Sequence, residues 1–138
     1  MNVHTVAPWV VFSCDGRRYG VPLDFVREIT AARPYTRLPG AGAAVCGLAG
    51  VRGRVVTVFD MGAVLGLRSA TTLPDHRLLL MDLGSRRIGA AVEDVVDIAP
   101  AHVEREPGGV GITGRGRIYD AEFIALDPHA LLGRLLPG

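Results

Sequence analysis

The chain has 138 residues, of which 49% are hydrophobic and 21% are charged, a balance that excludes an intrinsically disordered protein. Its 15 basic residues, all arginine, face 14 acidic residues and leave a formal charge of +1. We therefore expect no basic surface strong enough for non-specific nucleic-acid binding. The length predicts one domain or two very small ones. The 18 glycines and nine prolines favour an all-β fold with many turns.

Nothing in the sequence predicts export or a membrane span. The N-terminal stretch 1–9 lacks the charged region and the long apolar core of a signal peptide. The apolar runs fall short of the ~20 residues that cross a bilayer. Cys14 and Cys46 lack metal-ligand spacing, so we interpret them as reduced, buried thiols. These features predict a soluble, cytoplasmic protein.

In chain order, residues 1–8 are predicted to form a loose arm. Two strands follow, Trp9–Cys14 and Arg17–Val21, joined by the turn signal Asp15-Gly16. A third strand is predicted from about Phe25 to Ile29, because β-branched residues concentrate near the end of that segment.

The segment Gly47–Met61 dominates the first half of the chain. Before it, Ala41–Cys46 is predicted to form one helical turn. The glycine-rich front half of Gly47–Met61 predicts a tight turn that presents Arg52. The back half of the same segment, Val55–Phe59, predicts a strand buried on both faces, because apolar and polar residues hardly alternate there. Asp60 is the expected cap of a short helical turn after that strand.

After a polar junction at 68–75, the second half of the chain resembles the first. Further strands are predicted at 77–83 and 86–92, joined by the turn Gly84-Ser85. Three segment pairs keep the same order in both halves: Arg17–Ile29 with Arg86–Ile98, Gly47–Gly50 with Gly111–Gly114, and Asp60–Gly66 with Asp127–Gly133.

This repeat predicts two small five-stranded β-barrels, at about 9–70 and 76–136, within a single domain 9–136. A unit of that size buries only about 60% of its unfolded surface. We therefore expect the barrels to pack on a shared apolar seam, with an exchange of strands between them left open. The C-terminal segment begins with Asp127-Pro128, a favoured helix start, and its leucines predict a short helix packed on a barrel.

Candidate chemistry in the sequence is sparse. The glycines Gly109, Gly111 and Gly114 match a dinucleotide pattern, but a loop precedes them and a strand is predicted after them, which is the wrong context. The four histidines are scattered and have no cysteine at ligand spacing, so we expect neither a metal nor another cofactor. No serine lies in a nucleophile-elbow pattern, but the order of the residues by itself does not exclude a Ser-His-Asp arrangement.

Interaction chemistry remains, with Arg52 as the leading candidate. From the residues alone, Arg52 is either a partner contact or a solvated turn arginine paired with Glu28 or Asp60. Two alternative functions stay open. One is a small-ligand-binding or enzymatic β-barrel that uses the loop Gly108–Gly116. The other is an RNA-binding module that uses Arg115 and Arg117.

Several motifs, in this order and spacing, resemble the CheW-like domain of bacterial chemosensory systems. The segments Tyr19–Pro22 and Val26–Ile29 are similar to the first strands of that family. Gly50–Gly53 occupies the place of its N-L-R-G motif, with Gly50 and Val51 replacing Asn and Leu. Val55–Met61 is similar to the strand that follows, with Thr57 where proline is usual. The second half contributes Ile88–Val95 and Phe123–Asp127, so the resemblance covers about residues 9–133.

The resemblance implies two five-stranded, SH3-like β-barrels and a non-catalytic adaptor. Members of the family link the regulatory domain of a CheA-type histidine kinase to the cytoplasmic tip of a chemoreceptor. It implies a cytoplasmic protein held at receptor arrays by its partners, with no insertion into the membrane and no nucleic acid. By residue match, the implied receptor-binding residues are Val26, Glu28, Gly47, Arg52 and Gly53. Kinase-facing residues are not assigned.

Overall fold

The computed structural model describes residues 6–136, which form ten strands and a few short helices. The strands are β1 (Ala7–Cys14), β2 (Arg17–Pro22), β3 (Val26–Ala31), β4 (Val45–Val51), β5 (Arg54–Asp60), β6 (Arg77–Leu83), β7 (Arg86–Val92), β8 (Asp94–Arg105), β9 (Ile112–Ile118) and β10 (Ala121–Leu126). The α-helices are α1 (Met61–Val64) and α2 (Pro128–Leu132), and single 3₁₀ turns lie at Leu23–Phe25, Ala70–Thr72 and Gly133–Leu135.

The strands form two five-stranded units, which confirms the predicted all-β class. The closed barrel has the strand order β1-β2-β10-β9-β8, with β8 paired back to β1. The open sheet has the order β3-β6-β7-β5-β4. Its edge strands β3 and β4 share no ladder. Within residues 6–136, only an isolated bridge connects this edge, from Thr36 in the segment after β3 to Leu48 in the middle of β4. The second predicted barrel is therefore only partly closed.

Each unit combines strands from both halves of the chain. The hairpin β1–β2 pairs with β8, β9 and β10 from the second half, whereas the hairpin β6–β7 pairs with β3, β4 and β5 from the first half. The two sheets therefore do not follow the contiguous segments 9–70 and 76–136. A repeat identifies equivalent strands, but it contains no information on which copy of each strand becomes the pairing partner.

The structure corrects two local predictions in the first half. Ala41–Cys46 forms no helical turn, because β4 begins at Val45 and the residues before it are turn and coil. The predicted tight turn is shorter than expected: Gly47–Val51 is part of β4, since its backbone pairs with β5, and the turn that presents Arg52 consists of Arg52 and Gly53. The predicted loose arm also ends earlier than expected. Ala7 and Pro8 belong to β1, and residues 1–5 lie outside the described part of the chain.

The structure also corrects the register of the repeat. Asp60 and Asp127 cap α1 and α2 in the same way, and the hairpins that precede them match in length. The counterpart of the turn residue Arg52 is therefore Tyr119, and both have positive φ values, of 49° and 54°. Gly47 corresponds to Gly114 and not to Gly111. Arg115 and Arg117 lie within β9, away from the equivalent turn.

Three hydrophobic clusters stabilise the fold. The largest lies between the closed barrel and the open sheet and buries large side chains from both, with α2 packed against it. This contact confirms that the C-terminal helix packs on the barrels. A second cluster lies on the open sheet, around Val56 and Leu80. The third fills the closed barrel, around Phe123 and Ile118.

The carboxylate of Asp60 connects β5 to the junction between the two halves. It accepts hydrogen bonds from the backbone amides of Ala63 and Ala70, at 3.3 and 3.0 Å, and from the hydroxyl of Ser69. Asp60 is only 5% exposed, so few water molecules could replace these bonds.

We expect Asp60→Ala to lower the free energy of unfolding by about 2 kcal/mol, because a helix cap is lost and buried donors are left without an acceptor. Urea unfolding followed by circular dichroism measures this change. Asp127→Ala is the matched control, because its carboxylate caps α2 at a more exposed position. It should cost only about 1 kcal/mol. Equal losses for the two variants would contradict the special role of Asp60.

Candidate functional site

The turn between β4 and β5 consists of only two residues, Arg52 and Gly53. Val51 and Arg54 pair directly on either side of it. Both turn residues have positive φ, 49° and 75°, which is the geometry of a type I′ hairpin turn. Glycine suits the second position, whereas Arg52 takes a conformation that few side chains favour. The Arg52 side chain is 79% exposed at the tip of this hairpin.

Arg52 is paired with Glu28, across the gap between the two edges of the open sheet. The guanidinium Nε donates to both carboxylate oxygens of Glu28, at 2.6 and 2.9 Å. Glu28 lies on β3, opposite Leu80 of β6. The ion pair therefore links two edge strands that share no backbone ladder. Of the two predicted partners for Arg52, the structure selects Glu28 and not Asp60.

Beside this ion pair is a groove of about 390 Å³, which we call the Arg52 groove. Its walls and floor are contributed by Arg27, Glu28, Val51, Arg52, Arg54, Val56, Leu80 and Arg87. Three of these residues, Val51, Val56 and Leu80, are buried and apolar. The groove thus combines an apolar floor with a charged rim, a composition typical of protein-binding sites.

Asp82 holds two arginines at one end of the Arg52 groove. Its carboxylate oxygens accept from Arg27 Nη1 and Arg87 Nε, each at 3.1 Å. Desolvation acts to raise the pKa of Asp82, but the hydrogen bonds from Arg87 and Arg27 outweigh it and keep that pKa below its usual value. Asp82 therefore remains ionised at neutral pH and fixes both cations.

The five predicted receptor-binding residues do not form a single surface. Glu28 and Arg52 line the groove, and Gly53 completes the turn beside it. Val26 is half-buried and packs against the core between the two units. Gly47 is buried with a φ of 139°, and a Cβ there would collide with the Thr36 carbonyl oxygen. It supports the Thr36–Leu48 bridge and presents no side chain to a partner.

Sequence reasoning missed four charged residues of this region: Arg27, Arg54, Asp82 and Arg87. One signal could have found two of them. The turn Gly84-Ser85 sets the register of the β6–β7 hairpin, and that register pairs Asp82 directly with Arg87. No comparable signal existed for Arg27, because its contact with Asp82 depends on the long-range pairing of β3 with β6.

The glycine-rich loop is explained by packing. A Cβ on Gly111 would meet Leu131, and one on Gly114 would meet the Glu104 carbonyl oxygen. Gly114 also lies inside β9, so no helix N-terminus follows the loop. These contacts account for Gly111 and Gly114 without a ligand.

The arginines of the alternative RNA-binding surface are engaged with carboxylates. Arg115 pairs with Glu106 at 3.0 Å and with Glu122 at 3.6 Å, and Arg117 pairs with Glu122 at 2.6 Å. Their positive charge is therefore largely balanced by neighbouring carboxylates.

Groups of three or more potential metal ligands are absent among residues 6–136. Burial raises the pKa of both thiols, Cys14 and Cys46, to about 12, and neither forms a disulfide.

The Glu28–Arg52 pair predicts a specific dependence of stability on pH. The hydrogen bond from Arg52 lowers the pKa of Glu28 below the ordinary value of about 4.3. A carboxylate with a lowered pKa in the folded state stabilises the fold above the unfolded-state pKa, and that contribution is lost as the pH falls through the folded-state pKa. The stability difference between the wild type and Glu28→Gln should therefore be constant near pH 7 and disappear in strong acid.

Urea unfolding of both proteins between pH 7 and pH 2 measures this difference. Glu104→Gln serves as a control, because Glu104 is exposed and forms no ion pair with a described residue. A stability difference for Glu28→Gln that stays unchanged down to pH 2 would contradict the ion pair.

The fold and the site together define a class of protein: a duplicated β scaffold with a groove beside the ion pair that links the edges of its open sheet. The CheW-like domain family matches residues 8–135, and the chain therefore belongs to that family. A crystal structure of the scaffolding protein TtCheW from Thermoanaerobacter tengcongensis superposes with a TM-score of 0.84 over 93% of each chain. At 21% identity, this likeness concerns the fold.

Curated relatives agree with the family assignment. The chemotaxis protein CheW of Bacillus subtilis is 26% identical over 79% of this chain and 72% of its own length. The chemotaxis protein CheW of Rhizobium meliloti is 33% identical over 64% of this chain and 57% of its own length. Protein PilI of Pseudomonas aeruginosa is 31% identical over 87% of this chain and 72% of its own length. No helix among residues 6–136 has the length and apolar character needed to cross a membrane.

Proposed function

We propose that this chain is a non-catalytic adaptor of a bacterial chemosensory complex. It would couple the cytoplasmic tip of a chemoreceptor to the regulatory domain of a CheA-type histidine kinase, and it would turn over no substrate. It would act in the cytoplasm, held at membrane receptor arrays through its partners. Family membership and the relatives named as chemotaxis proteins support this proposal.

The observation that carries the receptor assignment is the Arg52 groove with its Glu28–Arg52 ion pair. Arg52 Nε is occupied by Glu28, but the two terminal nitrogens of the guanidinium point to no described partner. The same arginine can therefore keep its intramolecular bond and donate to a partner. Glu28 limits the freedom of Arg52, so less side-chain entropy is lost when a partner binds.

Val26 and Gly47 would act on receptor binding through the scaffold. Val26 anchors the start of β3 in the core, and Gly47 allows the chain at Thr36 to approach β4 closely. Both positions set the separation of the two strands that flank the groove. Gly53 lets the hairpin turn form and so places Arg52 at the rim.

The direct test is a binding experiment with the full chain and two sets of partners from the same genome. These are receptor cytoplasmic fragments that contain the tip and isolated CheA regulatory domains. Calorimetry should detect binding to at least one member of each set, and a ternary complex should elute together in size-exclusion chromatography. Binding to neither set would refute the adaptor function.

A further inference from the structure

The Arg52 groove exists because the open sheet lacks the large aromatic side chain that occupies the interior of the closed barrel. In the closed barrel, Phe123 fills the interior, and its ring lies against the backbones of Gly20 and Gly116. The counterpart of Phe123 in the corrected repeat register is Val56, which pairs with Ala49. The open sheet thus has the small side chain of Val56 at the position where the closed barrel has the ring of Phe123.

The two edge strands of the open sheet, β3 and β4, also lack a continuous ladder near that position. In the closed barrel, β8 and β9 pair from His102–Arg117 to Arg105–Gly114. In the open sheet, the segment equivalent to this part of β8 contains Pro34, which has no amide hydrogen for a ladder. Only the Thr36–Leu48 bridge forms there. The apolar side chains of Val51, Val56 and Leu80 consequently form a floor that is open at the Arg52 rim.

The rim of the groove is predominantly positive. Four arginines line it, and the carboxylates in contact with them are those of Glu28 and Asp82. Arg54 is exposed and forms no ion pair or side-chain hydrogen bond with any residue in the described range 6–136. Among residues 6–136, Arg87 donates only through its Nε, to Asp82, so its terminal nitrogens are available for a partner.

We infer that the Arg52 groove recognises a protein segment in which an apolar side chain lies beside a carboxylate, and that Arg54 and Arg87 determine this specificity. The inference rests on the proposed function only for the assignment of this site as a receptor contact. The apolar side chain covers Val56 and Leu80, and the carboxylate accepts from Arg54 and the free nitrogens of Arg87. Charge complementarity at such a rim favours the correct partner and speeds association.

The charge test uses the full chain and receptor cytoplasmic fragments. Arg54→Glu and Arg87→Glu should each weaken binding by about tenfold, and binding to the wild type should decrease as salt increases. Arg105→Glu is the matched control, because this exposed arginine of β8 lies outside the groove and changes the net charge equally. It should alter affinity by a factor of about two at most. Equal effects of all three substitutions would overturn the role of Arg54 and Arg87.

The filling test leaves the charge unchanged. The double variant Val56→Phe with Ala49→Gly copies the Phe123–Gly116 pair of the closed barrel into the open sheet. It should fold, as shown by a cooperative urea transition, and bind the fragments at least about tenfold more weakly. If Val56→Phe/Ala49→Gly does not fold, Val56→Leu fills the same floor with a smaller change and should also weaken binding. Undiminished binding by a folded variant would overturn the role of the floor.

A peptide library separates this inference from the receptor assignment. Random peptides displayed on phage are selected on the wild-type chain, after depletion on the Arg54→Glu/Arg87→Glu variant. The enriched sequences should combine a carboxylate with a neighbouring apolar residue. This outcome supports the inference even if no receptor fragment binds. Enriched peptides without acidic residues would overturn it, as would groove-dependent binding of single-stranded RNA or anionic vesicles in place of peptides.

Discussion

Arg52→Glu should weaken binding to a receptor tip by about thirtyfold, the largest effect that we expect from a single change at the surface. The substitution removes the guanidinium that pairs with Glu28 at the tip of the β4–β5 hairpin and places a second carboxylate beside Glu28. Like charges at the rim would repel both each other and an acidic partner. Calorimetric titration of the variant with receptor cytoplasmic fragments measures the loss.

The fold should tolerate this change. The Arg52 side chain is 79% exposed, and exposed ion pairs contribute little to stability. The urea midpoint of Arg52→Glu should therefore remain close to that of the wild type. A large drop in the midpoint would show that the variant loses binding because it unfolds.

The charge-swapped double variant Glu28→Arg/Arg52→Glu distinguishes contact from positioning. It restores an ion pair between β3 and the hairpin but reverses its polarity. If Arg52 contacts the receptor directly, binding should stay weak. Recovery of wild-type affinity would mean that the pair serves only to join the two edges of the open sheet.

Phe123→Ala should lower the free energy of unfolding by about 3–5 kcal/mol, the largest stability effect that we expect. Phe123 is 3% exposed in the interior of the closed barrel, with the Trp9 ring centroid 5.6 Å away. The backbones of Gly20 and Gly116 approach the ring too closely for any side chain to fit between them. Because the backbones and the Trp9 ring around Phe123 are fixed by the barrel, they would not close around an alanine side chain, and a cavity would remain.

Thermal and urea unfolding measure this loss. Tyr119→Ala is the control, because Tyr119 is 87% exposed at the tip of the β9–β10 hairpin and should change stability by about 0.5 kcal/mol or less. A loss below about 1 kcal/mol for Phe123→Ala would show that the barrel interior repacks. Because the Arg52 groove lies in the other unit, the folded fraction of Phe123→Ala should still bind receptor fragments.

Local features of the chain were predictable from the sequence because they depend on near neighbours. The turns Asp15-Gly16 and Gly84-Ser85 join the hairpins as expected, and Asp60 and Asp127 cap the helices that follow them. These features need only turn chemistry and side-chain to backbone hydrogen bonds within a few residues. The repeat likewise identified equivalent strands, and the many glycines and prolines indicated the all-β class.

The Glu28–Arg52 ion pair could not be predicted from near neighbours in the chain. The sequence proposed two partners for Arg52 and could not choose between them, because the position of Glu28 relative to the β4–β5 hairpin depends on long-range packing. Tertiary structure selected Glu28 by bringing β3 near the β4–β5 hairpin without a ladder between them. The positions of Val26 and Gly47 were also unforeseeable, since burial depends on the packing of the two units.

The sequence by itself thus indicated the hairpin turns, the helix caps, the duplication and most of the strands, but not β4. Only the tertiary structure decided which hairpin joined which sheet, that one unit closed while the other remained open, and that four arginines met around an apolar floor. The physical reason is that equivalent strands of a duplicated chain offer nearly equal local pairing. The choice between them therefore depends on long-range packing, which brings buried side chains of both halves into each cluster.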